Sequence, residues 1–163
     1  MDPSIRYTNV SGLQTMVQRT KARGIQHLSQ LYESNRCTLT SMFQHFGDSP
    51  CSHGNHITQV AGGYGMYHNE PLVWQMFIRP LLSCASHSFC ICPFPFDKYG
   101  VCGTNTDPNR LGECHRQDQS AISIIMARMF RQHYNQFSVD MKKWVLEVKR
   151  GDVSPYYLIK QFP

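Results

Sequence analysis

The segment Cys114–Phe130, CHRQDQSAISIIMARMF, most constrains what this chain can fold into. A cluster of Arg, Asp and Gln stands directly before a strongly apolar run, the pattern of a polar entry into a buried helix. A helix is expected from Asp118 to His133, with Asp118 as its cap and the first turn near Gln119. The carboxylate can accept from backbone N–H groups two and three positions on, and it suits the positive end of the helix dipole. Ala121, Ile122, Ile124, Ile125, Met129 and Phe130 then form a broad buried face. Two readings stand together. Asp118 is only a cap, or His115, Arg116, Asp118 and Gln119 converge where an anion or a sugar hydroxyl binds.

The remaining segments alternate helical and extended patterns. A first helix is expected from Gly12 to Arg23, with Leu13, Met16, Val17 and Thr20 on one face and Gly24 as its stop. Ile25–Leu31 is a strand candidate, Thr40–Phe46 a short helix closed by Gly47, and Asp48–His56 a loop by composition. Thr58–Tyr67, TQVAGGYGMY, reads as extended. Its Gly62, Gly63 and Gly65 suit a bulge or close approach of a ligand or another backbone. The AGGYG run lacks the lysine and hydroxyl of a P-loop and the spacing of a dinucleotide fingerprint.

Pro71 opens a helix through Leu82 to about His87, which Pro80 would bend or interrupt. Leu72, Trp74, Phe77, Ile78, Leu81 and Leu82 are expected to be largely buried along it. Residues 88–114 form a Cys- and Pro-rich loop, and WVLEVK at Trp144–Lys149 a short strand. Together these predict α/β architecture in one unit, residues 1–163, with too few strands for a complete doubly wound domain.

Composition excludes several classes. At 41% hydrophobic and 17% charged the chain is not of disordered composition, and no stretch approaches the roughly 20 apolar residues of a membrane span. The net charge of +5 is scattered, with Lys142–Lys143 and Lys149–Arg150 the adjacent basic pairs, so no nucleic acid partner is expected. The opening MDPSIRYTNV has neither the basic start nor the apolar run of a secretory signal, so none is expected within it. Five of the seven cysteines fall in Cys84–Cys114, spaced C-x5-C-x-C-x9-C-x11-C without a CxxC knuckle. Disulfides within this loop-rich segment of a lumenal or secreted protein are favoured over zinc, although His87 and His115 lie nearby.

The order of DPSIRY (2–7), TLTSMFQHF (38–46), QVAGGYGMYHN (59–69), PLLSCASHSFCICP (80–93) and CHRQDQSAISIIMARMF resembles an animal glycosyltransferase-like family. Its fold is the Rossmann-like, A-type nucleotide-diphospho-sugar transferase fold, and the likeness runs from Asp2 to about Phe137. The resemblance implies transfer of a sugar from a nucleotide-diphospho-sugar to a glycan or protein acceptor in the Golgi or another secretory lumen. It implies a divalent Mn or Mg ion at Asp2, donor-sugar binding by Ala61, Gly62, Gly63 and His115, and catalytic roles for Arg116, Asp118 and Gln119. It places the chain as the C-terminal half of such a domain, a partial Rossmann-like unit with a mixed sheet flanked by helices. The strands that bind the nucleotide would precede Asp2, so this half is expected to be inactive alone. The alternative is a non-catalytic, disulfide-stabilised lumenal interaction module, and bridges among Cys84, Cys90, Cys102 and Cys114 fit either reading.

Overall fold

The computed structural model describes residues 3–7, 10–53, 57–91, 115–140 and 146–150. In chain order the elements are β1 (Pro3–Tyr7), α1 (Val10–Arg23), β2 (Ile25–Glu33), α2 (Thr40–His45), α3 (Pro50–His53) and β3 (Thr58–Tyr67). Next come α4 (Pro71–Val73), a π-helical turn (Trp74–Ile78), α5 (Arg79–Ala85) and α6 (Ser88–Ile91). They are followed by α7 (Gln117–Phe130), a 3-10 turn (Arg131–His133), α8 (Tyr134–Phe137), β4 (Ser138–Asp140) and β5 (Leu146–Arg150).

The protein is α/β, with a mixed sheet flanked by helices. β2 is the central strand, antiparallel to β3 and parallel to β4. β1 and β5 pair antiparallel as a separate two-stranded ribbon, Pro3 opposite Arg150 and Tyr7 opposite Leu146. Helix α1 packs on one face of the sheet through Met16, Leu28 and Tyr64. The opposite face meets α7 and the Pro71–Ala85 helical segment through Ile25, Val60, Val73, Phe77, Ile122 and Met126. Helix α7 is buried on a second side as well, where Ala121 and Ile124 meet Met42, Phe43, Cys84 and Cys90. This double burial explains its near-continuous apolar run. Each fully buried Ile, Met or Phe contributes roughly 1.5–3 kcal/mol.

Gly24 ends α1 at φ +84, its N–H bonding to the Thr20 carbonyl at 2.8 Å, so β2 begins one residue later. Strand β3 is irregular. Ser29 faces Val60 and His27 faces Gly65, so two steps along β2 correspond to five along β3, and three extra residues bulge out around Gly62. The bulge changes the parity of the strand. Val60 therefore faces α7 while Tyr64 faces α1.

Several expectations need correction. In α1, Met16 and Thr20 are buried but Val17 is 37% exposed. Residues Leu72, Trp74 and Leu82 lie outside the core at 63%, 49% and 58% exposure. A helix on a sheet has one inward stripe, and here Val73, Phe77 and Cys84 take it, with Ile78 and Leu81 at its border. Pro80 does not break the helix, because the π turn just before it loosens the backbone where its ring and missing N–H would conflict with a regular turn. The Asp48–His56 loop contains α3, and the 88–114 loop begins with α6. The helix expected to His133 stops at Phe130, and α7 is capped by Arg116, not Asp118. The Ser120 N–H bonds to the Arg116 carbonyl at 2.8 Å, so the first turn closes two residues before Asp118. Asp118 stands at the second helical position, where its charge still favours the first turn.

Candidate functional site

The Ala61–Gly63 run and the Arg116–Gln119 cluster meet at one corner of the sheet. Gly62 lies directly under the N-terminus of α7. A Cβ at that position would stand 2.8 Å from Gln119 Cγ and closer still to the Asp118 carboxylate, so any larger residue would force those two side chains to shift. The seam between β3 and α7 is polar and closely bonded. Ser123 Oγ accepts from the Val60 N–H at 3.0 Å and donates to the Gln119 carbonyl at 2.6 Å. The Gln59 side-chain amide donates to Ser120 Oγ at 3.1 Å, and Ser120 in turn donates to the Cys37 carbonyl at 2.8 Å. These serines anchor the helix start to β3 and to the turn that follows β2.

On the outer side of the seam, Arg116 Nη1 donates to Gln30 Oε1 at 3.1 Å and to Gln119 Oε1 at 3.2 Å. Arg116 and Gln119 are half-buried and Asp118 is exposed. A guanidinium, two amides and a carboxylate thus share one corner, a donor and acceptor set suited to vicinal hydroxyls. His115 is placed differently. It is buried, and its Nε2 donates to the Ile91 carbonyl at 3.2 Å, so the ring ties α7 to α6. Burial lowers its pKa, only partly offset by that bond.

Among the cysteines, Cys84 and Cys90 form a disulfide that joins α5 to α6. Cys37 is a buried free thiol whose pKa burial raises, and Cys51 is an exposed one. Asp2, Cys102 and Cys114 lie outside the described residues, as does most of the 88–114 loop. Among the described residues, no group of three or more His, Cys, Asp or Glu is placed to hold a metal ion.

Two clusters carry no motif in the sequence. His27 is fully buried at the centre of β2, bonded to the Tyr67 hydroxyl at 2.7 Å and packed on Phe77. Burial brings its pKa down to about 4 and raises Tyr67 to about 12. Elsewhere, Ser34 Oγ lies 3.1 Å from His53 Nδ1, and His53 Nε2 lies 3.2 Å from Asp48 Oδ2. The Ser–His–Asp row is not a nucleophile relay. Ser34 is 0% exposed, and the hydroxyl and carboxylate occupy the imidazole nitrogens in the order opposite to a serine hydrolase. It fixes the turn before α3. The only prior signal was that Asp48, Ser52 and His53 share one polar loop.

Comparisons with known protein families, with curated proteins and with solved structures found no match.

Proposed function

We propose that this chain is a glycosyltransferase-like α/β domain whose Gly62 strand and α7 N-terminus form the corner facing the sugar of a nucleotide-diphospho-sugar donor. The supporting observation is the packing of Asp118 and Gln119 over Gly62. It brings together two segments, distant in the chain, that the family resemblance assigns to one pocket. In this reading Arg116 and Gln119 hold sugar hydroxyls, with Gln30 as their support. Asp118, exposed and in the first turn, positions the acceptor or the sugar ring, and its charge is favoured by the helix dipole. The divalent cation of such enzymes would offset charge on the leaving diphosphate. Its one named ligand, Asp2, lies outside the described residues and the described ones supply no ligand cluster. No step is therefore assigned to it.

The second reading is a non-catalytic, disulfide-stabilised lumenal module. It is favoured by the Cys84–Cys90 bridge and by the way Arg116 bonds to Gln30 and Gln119 within the protein itself. Saturation-transfer NMR with uridine- and guanosine-diphospho-sugars in the presence of manganese separates the two. The transferase reading expects contact at the sugar ring, weakened at least tenfold in Asp118→Ala and Gln119→Ala. A folded protein showing no sugar contact with any donor would leave the module reading.

A further inference from the structure

The opposite end of α7 holds a cavity of about 740 Å3 that the sugar corner does not use. Its volume falls in the range of small-molecule sites, roughly 300–1,000 Å3. One wall is the Gly47–His53 stretch; the other is the end of α7 and the turn after it. Arg128 and Arg131 both line the cavity and are exposed. Among the described residues, neither forms an ion pair.

The other polar groups of the wall are mostly engaged. Asp48 accepts from the Ser49 N–H at 2.8 Å, from the Ser52 hydroxyl, and contacts His53. The Tyr134 hydroxyl donates to the Thr58 carbonyl at 2.5 Å. Among the described residues, the two guanidiniums and the Asn135 amide remain to meet a guest. A bare helix C-terminus carries partial negative charge and would repel an anion; two arginines reverse the local sign.

Arg131 is also the one non-glycine residue at positive φ among those described, at φ 43 and ψ −118. This is the conformation of the first central residue of a type II′ turn, where glycine is the unstrained choice. A bulky cation held in that conformation beside a cavity is the kind of strained position that clusters at ligand sites.

We propose that this cavity binds the phosphoryl group of a small phosphorylated molecule, clamped by Arg128 and Arg131. The planar guanidinium fork matches phosphate oxygens two at a time. The test is calorimetric titration of the full chain with inorganic phosphate at constant ionic strength, with citrate as the carboxylate arm. Saturable phosphate binding is expected, weakened at least tenfold in Arg128→Gln and in Arg131→Gly, and unchanged in Arg79→Gln. Without phosphate, Arg131→Gly should melt at a higher temperature than the parent, so its lost binding would not reflect unfolding. No saturable phosphate binding, binding undiminished in both arginine variants, or binding of citrate but not phosphate would overturn the proposal.

Discussion

The two ends of α7, about 21 Å apart at 1.5 Å per residue, solve opposite problems. At the N-terminal end the helix is pressed onto β3 so closely that a Cβ on Gly62 would displace the Asp118 and Gln119 side chains, and serine hydroxyls satisfy the buried backbone. At the C-terminal end the chain leaves the helix through a strained arginine, and the space beyond stays open. The contrast teaches that one helix can be positioned by its first turns and leave its last turn for recognition. Substitutions should accordingly destabilise at the first end and be neutral or stabilising at the second.

Gly62→Val is expected to have the largest effect, about 2–3 kcal/mol of destabilisation in urea denaturation, because its branched side chain enters space held by Asp118 and Gln119. Adding Asp118→Ala should recover part of that loss, and full additivity of the two changes would show that they do not touch.

Acidification should come next. Burial lowers the His27 pKa from 6.5 to about 4. The unfolded chain then takes up a proton below pH 6.5 that the folded chain refuses until about pH 4. Stability is full above 6.5 and falls across that window, by about 2 kcal/mol at pH 5. His53 and His115, one near each end of α7, are also lowered by burial and add in the same direction. Equal urea midpoints at pH 7 and pH 5 would contradict the burial of all three.

Ser123→Ala should cost about 1–2 kcal/mol, since it leaves the buried Val60 N–H without its acceptor. At the other end, Arg131→Gly should stabilise by about 1 kcal/mol through release of the positive-φ strain. Arg128→Gln, on an exposed side chain, should change stability by less than about 0.5 kcal/mol. A large loss in either arginine variant would mean that the open end is as integral to the fold as the closed one.

Much of the architecture was legible from local signals. Gly24 marked the end of α1 because a left-handed residue is needed there, and the strand candidate at β2 and the glycine-rich β3 appeared where expected. Local signals failed where partners distant in the chain decide. β4 is a three-residue strand, Ser138–Asp140, too short for any periodicity, and it exists because His27–Ser29 offers it an edge. The outward positions of Leu72, Trp74 and Leu82 follow from which stripe of the helix meets the sheet, which an apolar count along the chain does not reveal.

The polar entry into α7 shows the same division. Residue order alone determined that a polar cluster precedes an apolar helix, because amphipathic spacing and helix-end chemistry act over one or two turns. Which residue caps that helix, which glycine lies under Asp118, and where Arg128 and Arg131 face a cavity were decided only by the tertiary structure. Those facts depend on how far β3 bulges and where α3 and the turn after Phe130 come together, and contacts of that range leave no local trace in the chain.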